Sequence, residues 1–260
     1  MEKSLGGFVP SRDWSNLTHL IMVAGHTVFM GTDFSSAGSQ GDRWFLYDYQ
    51  RNQFDWFLQH ITAGVKLAQE DPSSLLLFSG GATRMLAGPR TEAQSYWLYA
   101  DAQDWFLDPS KYTRMQIESL KHRVHTEDFA RDSFENLLFS ICRFRQLTGR
   151  YPEKITVVSL PFKEKRFREI HRKALRFPIH RFEFVGRGGS PPAAVEGELR
   201  HSLTPYERDP YGCRGSLAEK RKSRNPFNMA VPYPQGCEEL TSLFKFCGTN
   251  IYFGTLPWDP

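Results

Sequence analysis

A chain of 260 residues, 40% hydrophobic and 24% charged, is long enough to bury one sizeable core, and with 14% aromatics it is too apolar to be disordered. A formal net charge of +4 permits an anionic ligand without demanding nucleic acid, and no apolar run approaches the ~20 residues that a membrane-spanning helix needs. The four cysteines, Cys142, Cys213, Cys237 and Cys247, have no CxxC spacing and no look of a disulfide framework, so they read as reduced thiols of an intracellular, cytoplasmic protein; the opening Met1–Gly7 lacks the apolar core of a signal peptide.

The first strand is predicted over His19–Ala24 and ends at Gly25-His26, ahead of a polar, Gly-rich loop over 31–42. Between Gln50 and Gln69, Phe54, Phe57, Leu58, Ile61, Val65 and Ala68 recur at helical spacing, until Asp71-Pro72 stops the helix. Leu75-Leu76-Leu77-Phe78 is a continuous apolar run of the kind that suits a strand covered on both faces. It ends in Ser79-Gly80-Gly81, a turn where missing Cβ atoms let the backbone approach a ligand. A helix follows over Thr91–Gln103, then an irregular stretch over 105–115, a helix or loop at Ile117–Leu120, and a short strand over His122–His125 that ends at Thr126-Glu127.

Asp132 or Ser133 caps the clearest helix, Glu135 stands where a capping box needs it, and Gly149 closes it. Ile155–Ser159 is a β-branched strand, helical spacing returns from Lys163 to Leu175, and a last strand over Arg181–Val185 precedes Gly186-Arg187-Gly188-Gly189. This alternation predicts an α/β, Rossmann-like three-layer sandwich with a mostly parallel, doubly wound sheet over residues 1–190. Residues 191–260, rich in Pro, Gly, aromatic and basic side chains, predict an irregular extension with one helical piece near Glu238–Phe246, wrapped on the same domain or roofing its cleft.

All strand exits of a parallel sheet lie along one edge, where open α/β folds bind ligands. Here the exits are Gly25-His26, Ser79-Gly80-Gly81, Glu127, Ser159 and the Gly186–Gly189 run. Turns are polar in any protein, but ligand sites favour this edge, so the convergence points to a site ahead of ordinary turns. Charge adds to it. Arg84, Arg131, Lys163 and Arg166 fall near predicted helix starts, where the positive helix end opposes a cation by roughly 0.3 kcal/mol or more and a bound anion would reverse that cost. The alternative is that these side chains point into water.

Two of the carboxylates Glu92, Glu127 and Glu135 beside a substrate could do acid/base work or hold a divalent metal, although capping suffices for Glu135 and a first-turn position for Glu92. His26 is a candidate general base or a satisfied structural histidine. Ser79 and Ser159 are strand-end hydroxyls outside any G-x-S-x-G elbow, and neither a dinucleotide fingerprint nor a Walker motif occurs. The run Lys220-Arg221-Lys222-Ser223-Arg224 reads as a solvated loop rather than a nuclear-targeting or nucleic-acid patch, because no nucleic-acid-binding module accompanies it.

The order Ser79-Gly80-Gly81, Thr91-Glu92-Ala93, Glu127, Arg131-Asp132-Ser133-Phe134-Glu135-Asn136, Thr156-Val157-Val158-Ser159 with Lys163 and Arg166 resembles the SanA/ElyC/YdcF-like family, a domain family of unknown function, over residues 19–190. Asp209-Pro210-Tyr211-Gly212-Cys213 and Arg224-Asn225-Pro226-Phe227 look like its fungal and other eukaryotic branch. The resemblance implies a Rossmann-like fold with a polar cleft at the strand ends, and S-adenosylmethionine as one candidate ligand. By position it carries ligand-binding roles to Gly80, Gly81, Glu92, Glu127, Ser133, Glu135, Asn136, Ser159 and Arg166. The chain departs from the family at Phe162-Lys163, where a histidine is common, and at the first-strand turn, which is Gly-His.

Two functions follow as expectations. One is a hydrolase or group-transfer enzyme for an anionic or nucleotide-like metabolite, with Glu127, Glu92 and His26 catalytic and Gly25, Ser79, Gly80, Gly81, Arg84, Arg131, Ser133, Glu135, Asn136, Ser159, Lys163 and Arg166 binding the ligand. The other is a non-catalytic module that binds S-adenosylmethionine or a nucleotide; against both stands a structural or scaffold protein, which would take no ligand at the sheet edge.

Overall fold

The computed structural model describes residues 14–259, so the Met1–Gly7 opening lies outside the described residues. Five parallel strands stand in the order β3-β2-β1-β4-β5: β1 (His19–Ala24), β2 (Ser74–Ser79), β3 (Val124–Glu127), β4 (Lys154–Ser159) and β5 (Phe182–Gly186). β1 pairs with β2 on one side and β4 on the other. The order therefore reverses at β1, and the crevice beyond that switch point is where such sheets take ligands.

Side chains alternate across the central strands, as a two-residue period requires. Leu20, Met22, Leu75, Leu77, Ile155 and Val157 join the core on one face, and Ile21, Val23, Leu76, Phe78 and Val158 join the core on the other. α1 (Phe54–Glu70) and α2 (Glu92–Ala102) cover the second face through Phe57, Ile61, Val65, Ala93 and Tyr96. α4 (Ser133–Thr148) covers the first, together with a π-helical turn over Arg166–His171 that runs into α5 (Arg172–Ala174). A separate helix α3 (Arg114–Lys121) stands where a helix or loop is expected, and β3 begins two residues later than the pattern predicts.

Helix starts follow local chemistry. Thr91 accepts a bond from the Gln94 backbone N–H, and Gln94 reaches back to complete a capping box on α2. Asp132 caps α4 by accepting from the Glu135 N–H, but Glu135 itself turns to the Arg131 backbone N–H at 2.9 Å, so the predicted box is only half made. Gly149 closes α4 in the left-handed conformation, which glycine adopts at little cost.

The extension is more helical than expected. α6 (Pro192–Glu198), a π-helical turn over Leu199–Leu203, α7 (Thr204–Arg208) and α8 (Gly215–Ser223) precede α9 (Thr241–Phe244). Its Leu203, Tyr206, Tyr211, Leu217, Leu240, Leu243 and Trp258 belong to the same apolar core as α4. The segment lacks the long periodic runs that reveal helices in sequence, because each piece is only one to three turns long.

The cysteines are not free thiols. Cys142 of α4 is bonded to Cys237, and Cys213 to Cys247, with Cα atoms 5.3 and 5.7 Å apart. Partners separated by 95 and 34 residues leave no local spacing to read. In the chain-entropy account, closing the longer loop stabilises the fold by about 4–5 kcal/mol. The expected intracellular location leaned on reduced cysteines and loses that support. Among the described residues no helix is long and apolar enough to cross a membrane.

Candidate functional site

A cleft of about 710 Å³ opens at the carboxyl edge of β1 and β4, and its size suits a small ligand. The floor is Gly25 and His26 after β1 and Ser159 at the end of β4; one wall is Ser133 and Asn136 from the first turn of α4. A second wall comes from Tyr49, Gln50 and Gln53 with Thr83, Arg84 and Glu92. The extension closes the space with Glu198, Arg200, Tyr206, Lys220 and Arg224.

Ten of the predicted site residues meet there: Gly25, His26, Arg84, Glu92, Arg131, Ser133, Asn136, Ser159, Lys163 and Arg166. Five stand behind the surface. Glu127 is buried, with its carboxylate accepting from Ser79 Oγ at 2.7 Å and from the Phe129 and Ala130 backbone N–H groups at 2.8 and 3.3 Å. Burial pushes Glu127 up to about 8 against the pull of the Ser79 and Phe129 donors. Ser79 is also held by Asn136, whose amide donates to its carbonyl and hydroxyl oxygens. Glu135 is taken up by Arg131 and Arg221.

The two glycines after β2 serve packing rather than ligand approach. A Cβ on Gly80 would sit 2.7 Å from Glu92 Oε2, and one on Gly81 would sit 2.9 Å from the Ala130 carbonyl. Their carbonyls receive the first N–H groups of α2, from Ala93 and Glu92 at 3.1 and 3.2 Å. Gly25 is constrained likewise, since its Cβ would fall 2.7 Å from Glu92 Cβ.

His26 is the centre of the floor. Its Nδ1 contacts the Gly25 carbonyl, which can only accept, so Nδ1 carries the proton and Nε2 presents a lone pair. Nε2 lies 3.3 Å from both Ser159 Oγ and Lys163 Nζ. Burial, and then the nearby Lys163 and His60, hold His26 well below the usual histidine range, so the ring is neutral. His60, packed edge-on at 5.2 Å, is also neutral: burial lowers it to about 3, and its Nε2 donates to the Arg187 carbonyl.

Charge is unbalanced. Seven Lys and Arg side chains line the cleft against three carboxylates, Glu92, Asp132 and Glu198. Arg84 and Arg131 are engaged, by Glu92 at 3.4 Å and by Glu135. Asp132 goes to Arg221 at 2.6 Å; although burial pushes its carboxyl up, that guanidinium leaves it below its ordinary value. Lys163 is lowered to about 7 by burial and by Arg166, and Lys220 to about 8 by burial and by Arg224. Arg166 Nε lies 3.3 Å from Glu198 Oε1, close enough for attraction but out of hydrogen-bond line, and neither atom has a hydrogen-bond partner among the described residues. Ser133 Oγ meets His171 Nε2 at 2.7 Å; burial first and Arg166 second keep His171 neutral.

The run expected to be a solvated loop is instead α8. Lys220 and Arg224, four residues apart, share the helix face that reaches the cleft, and Arg221 ties that helix to the first turn of α4. Leu217, buried one turn earlier, was the available hint that this charged stretch has an inner face. Glu198 and Tyr206 carried no such mark. Among the described residues, no cluster of three or more His, Cys, Asp or Glu is placed to hold a metal ion.

No family model matches the chain, and no solved structure matches it. The sequence is similar to the uncharacterized protein YOR238W of Saccharomyces cerevisiae, 28% identical over 267 aligned residues that cover 85% of this chain and 88% of the yeast protein. The similarity leaves too little of the chain uncovered to omit the whole extension, so it embraces part of the roof as well as the sheet.

Proposed function

We propose that the cleft binds a small polyanion of the phosphate-ester class and that the protein hydrolyses it or transfers a group from it. The observation that carries this reading is the pair of lysines, Lys163 and Lys220, packed among Arg166 and Arg224 and held below their ordinary range. Four cations gathered around the single carboxylate of Glu198 are costly unless something more negative joins them. The first turn of α4 adds N–H groups that have no partner within the helix, and Arg166 Nε adds an unused buried donor.

In this reading His26 Nε2 takes the proton of the attacking water or hydroxyl, with Ser159 the nearest protein hydroxyl. Lys163, titrating near neutrality, supplies a proton to the departing oxygen. Arg166, Lys220 and Arg224 offset charge on the reacting group. Glu92, bonded to Thr83 Oγ1 at 2.7 Å, and Glu127, bonded behind the floor, hold loops in place instead of moving protons. That engagement of both carboxylates is what favours the second reading, a binding module without turnover. S-adenosylmethionine fits less well than a polyanion, because its sulfonium would face the excess of cations. The order of site segments along the chain and the parallel sheet also support placing the chain with the SanA/ElyC/YdcF-like proteins as part of this proposal.

Sulfate, whose charge is constant from pH 6 to 9, gives the cleanest test. An anion favours protonated lysine, so affinity should be highest below pH 7 and fall as pH rises through the free values of about 7 and 8 for Lys163 and Lys220. Calorimetric titration should show up to about a tenfold loss per pH unit for each lysine, and Lys163→Met should remove the lower step. Affinity independent of pH would count against the reading. Incubation of a bound phosphate ester without any product would leave the binding module standing.

A further inference from the structure

We infer that the anion taken by this cleft carries a flat aromatic group, as a nucleotide does, and that Tyr49 is the platform on which the ring rests; the inference builds on the anion reading above. Tyr47 and Tyr49 stack with ring centroids 5.6 Å apart and planes 15° from parallel. The Arg84 guanidinium lies over the Tyr47 ring at 4.5 Å, and its Nη1 donates to the Tyr47 hydroxyl at 2.8 Å. Arg84 in turn is fixed by Glu92 on the cleft wall. Tyr49 is thus propped in place from beneath, yet it is 71% exposed while lining the cleft.

An aromatic ring held this firmly and left this bare costs the folded protein buried area it could have had, and a planar ring on the ligand would recover it. The surroundings are those of a base subsite. Gln53 ends the short turn that carries Tyr49 and lines the same wall; its Nε2 donates one hydrogen to the Tyr49 carbonyl, which leaves the second hydrogen and Oε1 for a base edge, whereas Gln50 is spent on the Tyr47 N–H and the His26 carbonyl. Lys163 and Arg166 follow β4 and Lys220 lies on α8, whereas Arg84 on the Tyr49 wall is already paired with Glu92, so a phosphate at Lys163 and a ring at Tyr49 would occupy different parts of one cleft. Its volume of about 710 Å³ has room for both.

The test is calorimetric titration of the full chain with four probes: inorganic pyrophosphate, ribose 5-phosphate, adenosine diphosphate and uridine diphosphate. At least one nucleotide is expected to bind about tenfold or more tightly than either ringless probe, in line with the worth of one stacked base. Tyr49→Ala should remove that advantage while leaving pyrophosphate affinity within about twofold, and Tyr49→Phe should keep it. Pyrophosphate binding as tightly as both nucleotides, or an advantage that survives Tyr49→Ala, overturns the inference and leaves the anion reading intact. Failure of all four probes to bind overturns both.

Discussion

Arg221→Ala is expected to destabilise the fold by about 3–5 kcal/mol, the usual effect of stripping one partner from a buried ionic network. For a chain of this size that is a fall in melting temperature of roughly 6–20 °C. Arg221 Nε stands 2.6 Å from Asp132 Oδ2 and 3.2 Å from Glu135 Oε1, and Nη2 donates to the Tyr211 carbonyl at 2.8 Å. Without it two carboxylates face each other at the start of α4, and only Glu135 retains a cation, Arg131. The pH dependence supplies a second reading. Asp132 is held below 3.8 in the folded chain, so its contribution is present at neutral pH and fades as pH falls through that lowered value. Melting curves of the variant and the parent should therefore draw together in acid. The double variant D132N/R221M should lose less than R221A alone, because asparagine still caps the helix and no charge is stranded. A loss under 1 kcal/mol for R221A would show that α8 is not fastened to the sheet domain in this way.

His26→Ala is expected to lower turnover of a phosphate ester by about 10²–10⁴-fold, the range of a positioned general base. The loss should fall on kcat, with KM little changed, because the cations that bind the anion come from other segments. The ring is set up for this work by its neighbours. The Gly25 carbonyl fixes the tautomer, burial and Lys163 keep the ring uncharged, and the lone pair of Nε2 faces the cleft. A parallel measurement of sulfate affinity separates loss of chemistry from loss of the site. A variant that keeps its kcat would take His26 out of the reaction and leave Ser133 with His171, at 2.7 Å, as the next pair to test.

The parts of the site that sequence exposes are those fixed by the sheet. Gly25, His26, Ser159 and Lys163 lie at or just beyond strand exits, and a parallel sheet forces its exits to one edge whatever the loops do. The alternation of apolar runs with helical spacing marked the same strands that the structure contains; β1, β2 and β4 are apolar at their centres and buried on both faces, while the edge strands β3 and β5 are only partly buried and their bounds were less exact. Lys220, Arg224 and Glu198 reach the cleft through tertiary packing of short helices, which leaves at most a single apolar residue such as Leu217 as a trace. Glu127 illustrates a different limit. A carboxylate at a strand end looks free in sequence, and only the positions of Ser79 and the Phe129 and Ala130 amides reveal that it staples a turn. The Cys142–Cys237 pair was hidden for the same reason, since it depends on how the extension lies along α4, and the Cys213–Cys247 pair depends on how the extension folds on itself.

That lie has a bearing on where the chain can be cut. α4 is gripped along its length by residues beyond 190: Arg221 at its first turn, Cys237 at Cys142, the Phe244 ring over Phe139 at 5.9 Å, and Glu239 on Arg145 near its end. A polypeptide stopped at residue 190 would bare one whole flank of that helix, and such a fragment should precipitate or remain non-native when refolded. The boundary visible in composition is thus a change of texture and not a seam, and the two segments have to be expressed as one piece.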